Sequence, residues 1–424
     1  MLDLKYVKEH TEEVRENIRN RFMDVDVDEV LSLYEKRNTL LRELEDLRRQ
    51  RNENAKKMKG KMSDEERSAL IEEGKQLKER IAAVEKEHGD VETRLEHAAG
   101  RLPNIAHPDA PVGKEEKDNL ELRRHGEPTS FSFTPRDHME LGTSLDLIDF
   151  ESAAKVTGQK FYYLKNQAVF LELALARYAL DILQKRGFIP MITPDLAREE
   201  ILEGIGFNPS GEESNIYNVE GTGTSLVGTA EITLGGYHSG ELLDRNRLPI
   251  KMAGISHCFR REAGAAGQFS KGLYRVHQFT KVEMFVYCLP EDSEDRHLEL
   301  LSIEEEIFRG LEVPYRVVDT CTGDLGAPAY RKYDLEAWMP GRGESGGWGE
   351  ITSASNCTDY QARRLGVRFK SEEGNRYVHM LNGTAVAVSR ALIALLENHQ
   401  REDGSVGIPA ALVPYTGFDR IPPA

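Results

Sequence analysis

Cysteine is scarce in this chain: four residues, Cys258, Cys288, Cys321 and Cys357, occur among 424. None falls in a Cys-x-x-Cys spacing. That argues against a zinc ribbon and against a disulfide framework, although a dispersed metal site stays open. No apolar run is long enough to span a bilayer. Met1 leads straight into a charged amphipathic segment rather than a secretory signal. These absences set the expectation of a soluble cytoplasmic protein with no membrane partner. An excess of positive charge is missing too. Lys and Arg number 56 against 72 Asp and Glu, a formal net charge of −16. An average field of that sign does not attract nucleic acid, so a nucleic-acid partner would need a local basic surface. The length suits two or three domains.

What is present begins with a countable repeat. Residues 1–24 read as a short helix carrying Leu2, Leu4 and Val7. Then Val30, Leu33, Arg37, Leu40, Leu44, Leu47 and Arg51 step by 3, 4, 3, 4, 3, 4. Leu70, Gly74, Leu77, Ile81, Val84, His88, Val91 and Leu95 step by 4, 3, 4, 3, 4, 3, 4. Alternating threes and fours make a heptad seam, interrupted by Arg37, Arg51, Gly74 and His88. A break near Lys59–Asp64 predicts an antiparallel coiled-coil arm over about residues 27–98, roughly 45 Å long. Pro103 stops its second helix. Arg48, Arg49, Arg51, Lys56, Lys57, Lys59 and Lys61 crowd one end, with Glu53 the lone acid among them. A solvated coiled-coil end has the same composition. In an acidic chain, cations gathered at the end of a projecting arm favour a lever that grips phosphates.

Residues 101–135 hold Pro103, Pro108, Pro111, Pro128 and Pro135 and read as a linker. Gln167 to Arg186 is an apolar-periodic helix stopped by Gly187, with a short strand ending at Pro194. The acidic stretch 291–309, including Glu304, Glu305 and Glu306, reads as a solvated helix face. Tyr315 to Thr320 reads as a strand.

The stretch Cys258 to Tyr287 organises the rest. Two β-rich segments around Gly264, Gly267 and Gly272 predict a long antiparallel hairpin. Alternation puts Arg275, His277, Phe279, Lys281 and Glu283 on one face, and Val276, Val282, Met284 and Val286 on the other. The first face joins cations, an aromatic ring and a carboxylate. Arg forks take phosphate oxygens bidentately, Phe279 has the shape to stack on a base, and Glu283 accepts from a hydroxyl or an ammonium. Charged strand faces are also common on plain surface hairpins. Further on, Glu350 and Ser353 lie three apart with oxygens for a hard divalent cation. A strand ending at Gly383 then runs into an apolar helix holding Arg390, which is costly to bury unless paired.

Phe259-Arg260-Arg261-Glu262, a variable loop, then His277-Gln278-Phe279-x-Lys281-x-Glu283 resembles motif 2 of the class II aminoacyl-tRNA synthetases. The form is that of the seryl-tRNA synthetases, except that Arg261 stands where that family usually has Ser or a near variant. Residues 167–194 resemble motif 1, the dimer-interface element. Thr229-Ala230-Glu231 matches the Thr-x-Glu segment that the family uses for its amino acid. Glu350-Ile351-Thr352-Ser353, continuing to Asn356-Cys357-Thr358-Asp359, and Arg390 in motif 3 complete an ordered set covering nearly the whole chain.

The resemblance implies an α+β fold: a catalytic domain over residues 104–424, with an antiparallel β-sheet flanked by helices, working as a homodimer. Residues 1–103 would be a tRNA-binding domain whose arm embraces the long variable arm of tRNA(Ser), mainly through shape and backbone. Serine would be activated by ATP to seryl-adenylate and passed to the tRNA 3′ end. Serine loading of tRNA(Sec) depends on whether the host has that tRNA. Arg260 and Arg390 would carry the chemistry, Arg260 bridging the serine carboxylate and the α-phosphate. Thr229, Ala230, Glu231, Glu283, Asn382 and Thr384 would complete the serine site, with Glu231 on the ammonium and Glu283 and Thr384 on the hydroxyl. Arg261, Glu262, Arg275, Val276, Phe279, Ile351 and Thr352 would join Arg260 and Arg390 around ATP. Glu262 would hold the adenine end, Arg275 and Arg390 the distal phosphates, and Phe279 and Arg390 would sandwich the base. Glu350 and Ser353 would hold Mg²⁺ and contact ATP. Two other readings are an adenylate-forming relative that loads a carrier protein, which would lack the arm, and a catalytically dead tRNA-binding paralogue, which would lose residues such as Arg260, Glu283, Glu350 or Arg390. Deleting residues 27–98 should spare serine-dependent ATP–pyrophosphate exchange while charging of tRNA collapses; full charging by the deleted protein would remove the arm's role.

Overall fold

The computed structural model describes residues 1–60, 62–207, 215–262, 270–372 and 374–423. Two compact units divide the chain, Met1–Pro103 and Asn104–Ala424.

The first unit opens with two helices where the pattern suggests one, α1 (Leu4–Glu9) and α2 (Thr11–Asn20), separated at His10. The repeat then forms α3 (Val27–Lys57) and α4 (Asp64–Gly100). Asp26 caps α3 by accepting from the Asp28 and Glu29 amides, and Ser63 with Glu66 closes a capping box on α4. The Asp26 cap sets where α3 begins, and the Ser63 box sets where the break between the two helices ends. Helix α4 ends at Gly100, before Pro103 is reached. Val30, Leu33, Leu40, Leu44 and Leu47 are buried, as are Leu77, Ile81, Val84, Val91 and Leu95. The interruptions are accommodated rather than removed. Arg37 pairs with Glu92 at 3.1 Å. Gly74 lies against buried Asn54, which donates to the Leu70 carbonyl at 3.2 Å and to Glu73 at 2.8 Å. Lys36–Glu87, Arg48–Glu85 and Arg80–Glu43, each at 2.8 Å, link the two helices. Exposed pairs of this kind add little stability.

The second unit is built on one eight-stranded sheet. Its strands are β1 (Leu120–His125), β2 (Ile189–Ile192), β3 (Ile250–Phe259), β4 (Gln278–Cys288), β5 (Tyr315–Asp319), β6 (Arg331–Met339), β7 (Gly347–Asn356) and β8 (His379–Ala387). The order is β1-β5-β6-β7-β8-β4-β3-β2, with every neighbouring pair antiparallel except β2 and β3. The supposed linker therefore supplies an edge strand: β1 pairs with β5 from Leu120↔Asp319 to His125↔Tyr315. Polar, alternation-poor edge strands leave little trace in a hydrophobic pattern.

Helices α5 (His138–Ser144), α6 (Gln167–Lys185), α7 (Ser293–Gly310) and α8 (Val388–Asn398) complete the frame around the site. Strand β4 is buried on both faces. Val282, Met284 and Val286 enter the core shared with α6, α7 and α8, while Phe285 and Tyr287 enter a second core with Met252 and Met380. Helix α7 departs from the solvated reading. Leu300, Ile303, Ile307 and Phe308 are fully buried, and so is Glu304. Its carboxylate accepts from Thr352 Oγ1 at 2.8 Å. Charge alone could not reveal this, because Glu305 and Glu306 beside it carry the same charge but are only partly buried and pair with Arg123 and Arg186. The four cysteines are buried free thiols, and among the described residues no helix is long and apolar enough to cross a membrane. Leu335, fully buried in β6, tests this core: Leu335→Ala should lower the unfolding free energy by roughly 2–5 kcal/mol in urea titration.

Candidate active site

Strands β3 and β4 pair without a break from Phe259↔Gln278 to Ile250↔Tyr287. The hairpin is real, but its ladder stops at Gln278, so strict alternation does not extend back through Arg275–His277. Gly264 and Gly267 lie outside the described residues. His277 turns away from the cleft: its Nδ1 lies 2.8 Å from the Arg260 carbonyl, and its ring packs near Phe161 and Tyr217. Val276, which alternation assigns to the apolar face and the resemblance to the ATP site, lines the cleft with Arg275, Phe279 and Lys281.

Two irregularities aim the remaining groups. Between β4 and β8, Val282↔Val386 is followed by Glu283↔Thr384, leaving Ala385 unmatched. Between β6 and β7, Thr352↔Leu335 is followed by Glu350↔Glu336, leaving Ile351 unmatched. One extra residue shifts the alternation by one. Glu350 and Ser353, three apart, thereby both reach the cleft.

The cleft is open to solvent, and its lining joins the guanidinium groups of Arg260, Arg275 and Arg390 to the Phe279 ring and the Glu350 carboxylate, a set suited to a nucleotide. Arg390, from α8, donates to the Glu350 carbonyl at 2.9 Å and lies 3.3 Å from its carboxylate. The guanidinium also covers the Tyr274 ring at 4.6 Å. Burial would raise the Glu350 carboxyl, but the charges of Arg390, Lys332 and Arg260 outweigh it and hold it at about 2. Arg260 donates from Nε to the Gly228 carbonyl at 3.3 Å and sits 5.2 Å from the Phe279 ring centre. Glu262 takes a left-handed backbone, φ 50°, and accepts from Arg275 at 3.2 Å.

Deeper in, Lys281 Nζ lies 2.5 Å from Glu283 and 3.3 Å from Thr229 Oγ1. Thr384 Oγ1 donates to Glu283 at 3.5 Å. Glu231 accepts from Gln361 at 2.9 Å and Asn382 at 3.0 Å. Burial, then the nearby charge of Glu283, pushes its carboxyl up to about 7. Ala230 is buried and brings only its backbone, at the start of the helix Glu231–Gly236.

Ile351, Thr352 and Ser353 line the same cleft as Arg260 and Arg390. Arg261 does not: it is exposed, and its amide donates to the Asn215 carbonyl. On the arm, Arg48 and Arg49 are engaged by Glu85 and Asp46, while Arg51, Lys56, Lys57 and Lys59 are exposed. Lys61 lies outside the described residues. Sequence reasoning missed Tyr274 and Gln361. Gln361 gave no signal, because its contact with Glu231 spans 130 positions.

Residues 220–399 match the family profile described as tRNA synthetase class II core domain (G, H, P, S and T), and residues 1–106 match the seryl-tRNA synthetase N-terminal domain. The serine–tRNA ligase of Treponema denticola is 63% identical over 422 residues, covering 99% of this chain and 100% of that protein. The chain belongs to the seryl-tRNA synthetase family. The serine–tRNA ligase of Rubrobacter xylanophilus is 57% identical over 425 residues, with both chains fully covered. Among solved seryl-tRNA synthetases, that of Pyrococcus horikoshii complexed with ATP matches with a TM-score of 0.91 at 43% identity, covering 100% of both chains. The cytoplasmic serine–tRNA ligase of Naegleria fowleri in complex with AMP matches at 0.86 and 33%, covering 100% of this chain and 99% of that one. The chain is thus a class II aminoacyl-tRNA ligase, with the mostly antiparallel sheet of that class.

Glu231 offers a test of the buried acid array in this seryl-tRNA synthetase. Its carboxyl moves from an ordinary 4.5 to about 7, so folding favours the protonated form. That contribution to stability is present below about pH 4.5 and is lost as pH rises through 7. Thermal midpoints measured across this window should show the wild type losing ground to Glu231→Gln as pH rises. Parallel curves would place the Glu231 carboxyl in water.

Proposed function

We propose that this chain activates L-serine with ATP and transfers it to the 3′ end of tRNA(Ser). The observation that carries the reading is one cleft holding Arg260, Arg275, Arg390 and Glu350 around Phe279, continuous through Lys281 and Thr384 with the polar array of Glu283, Thr229, Glu231 and Asn382. The first half suits a nucleoside triphosphate and the second a small amino acid with a hydroxyl.

In the first step a serine carboxylate oxygen bonds to the α-phosphorus of ATP, and the bond to pyrophosphate breaks. Arg260 lies between the two halves of the cleft and would hold both the carboxylate and the α-phosphate. Arg275 and Arg390 would meet the outer phosphates, Glu262 would take the adenine end, and Val276 would contribute backbone contacts. Phe279 would stack on the base, with Arg390 on its other side. In the second step the terminal ribose hydroxyl takes the acyl group and AMP leaves. Positioning and charge neutralisation do most of this work, with little acid–base chemistry. Glu231 would accept from the serine ammonium, and Glu283 with Thr384 would face its hydroxyl. A site whose polar groups go unpaired without a hydroxyl rejects alanine and glycine strongly.

Glu350 and Ser353 fit Mg²⁺. The carboxylate stays ionised at any working pH, both oxygens face the cleft, and a hard cation completes its shell with water and phosphates. When bound, the ion would neutralise phosphate charge. Exposed Ile192 (88%), Leu173 (62%) and Phe170 (55%), on the edge strand β2 and on α6, support a homodimer through this face. The exposed cations of the arm support a grip on the tRNA backbone by residues 1–103. The absence of a membrane-length apolar helix among the described residues fits a cytoplasmic site of action.

Pyrophosphate exchange across all twenty amino acids, with and without tRNA, tests the proposal: serine should dominate. Arg260→Ala should lower exchange by at least about a hundredfold, the scale set by losing one charge-stabilising donor. Near-normal exchange by that variant would contradict the assigned contact.

A further inference from the structure

A buried carboxylate–imidazole pair, to which the sequence reading assigned no role, joins the helix that carries Arg390 to the turn before β4. Glu397, in the last turns of α8, is 1% exposed, and His138, at the start of α5, is also 1% exposed. Three N–H groups converge on the Glu397 carboxylate: the His138 amide at 3.0 Å, His138 Nδ1 at 2.8 Å and the Gly341 amide at 2.8 Å. His138 Nε2, on the other side of the ring, accepts from the Leu273 amide at 3.2 Å. A backbone N–H can only donate, so Nε2 must be the acceptor, and the ring proton sits on Nδ1 facing Glu397. Both hydrogen bonds demand the same tautomer.

Leu273 belongs to the turn Gly272–Tyr274, which brings the motif 2 loop back to β4. Three further contacts hold this turn in the same place. Lys271 forms an ion pair with Asp137, the residue before His138. Gly272 has φ 56°, and a Cβ there would lie 2.1 Å from His138 Nε2, so no larger residue fits against the ring. Tyr274, the next residue along, is the ring under Arg390, and its carbonyl accepts from Arg390 Nε at 3.4 Å. Gly341 is closely fitted as well, since a Cβ there would lie 2.7 Å from Glu397 Oε1.

We infer that Glu397 and His138 are positioning residues for the nucleotide half of the reaction. They clamp the return of the motif 2 loop through the Leu273 amide, and so set Tyr274, Arg275 and Val276 against Arg390. Arg390 and Glu397 lie on one helix, seven positions apart, so α8 holds the phosphate cation with one end and the loop that faces it with the other. Fixing a cation and the turn beneath it from a single rigid element keeps their spacing constant, the requirement for a pre-organised phosphate site. The inference deepens the proposed activity and rests on that reading of the cleft.

The test compares His138→Phe and His138→Gln with the wild type in ATP–pyrophosphate exchange, alongside hydrogen–deuterium exchange of the peptide around Leu273. Phe keeps the ring and loses both bonds; the Gln amide oxygen reaches the Nε2 position. We expect His138→Phe to raise KM for ATP tenfold or more, to leave KM for serine within twofold, and to speed exchange of the Leu273 amide. His138→Gln should recover most of the loss. An unchanged ATP KM in folded His138→Phe, or equal losses for ATP and serine, overturns the inference. Should His138→Phe not fold, Lys271→Met and Gly272→Ala decide, the first acting through a half-exposed side chain. An unchanged ATP KM in both overturns it. The failures are distinguishable: a wild type without serine-dependent exchange sinks the activity, whereas an unaltered Leu273 exchange rate in His138→Phe sinks the clamp alone.

Discussion

Lys281 and Glu283 meet at 2.5 Å on a strand buried on both faces, at 7% and 1% exposure. Desolvating two charges costs more than most pairs return, while breaking such a pair leaves an uncompensated buried ion at about 3–5 kcal/mol. The array is therefore a poor device for stability and a good one for recognition. Its members, Thr229, Thr384, Glu231 and Asn382, arrive from three separate elements. The surrounding fold has to hold those elements in register, and much of the second unit's architecture serves that end. Phe285 and Tyr287 continue the same strand into an apolar core, so the polar half is carried on a rigid apolar base.

The two bulges are the counterpart on the neighbouring strands. A regular β7 would send Glu350 and Ser353 to opposite faces. The unmatched Ile351 brings both into the cleft and keeps its own side chain in the main core. Arg390 then closes the ring of charge from the helix that follows β8. Its guanidinium is satisfied by Glu350 and by the face of Tyr274, which answers the cost of placing an arginine in an apolar helix. In the arm the same logic runs at lower stakes: Asn54 and Gly74 fill one layer of the seam with a polar contact, and the register is pinned there.

Much of the molecule was legible in the chain. The heptad steps over α3 and α4, the break between them and the hairpin within Cys258–Tyr287 are local patterns, and each appears where the spacing put it. Arg260, Glu262, Arg275, Phe279, Glu350, Ser353, Thr384 and Arg390 do line one cleft. Other features were not legible. β1 hid in a proline-rich polar stretch because its pairing partner is nearly two hundred residues away. Glu304 looked like its ion-paired neighbours Glu305 and Glu306, and only the packing of α7 against β7 separates it from them. His277 obeyed the alternation on paper, but the ladder ends one residue after it.

By itself the sequence determined what depends on short-range stereochemistry: helix periodicity, capping, strand alternation, and the kinds of charge available to bind phosphate and an amino acid. Only the tertiary structure decided which of those charges face one another. Burial, strand register and bulges are set by contacts between residues that are distant in the chain. A shift of one residue in a ladder reverses the face of every side chain beyond it. Glu397, His138 and the Leu273 amide are separated by more than a hundred residues at each step, and their alignment exists only once the sheet and its helices are assembled.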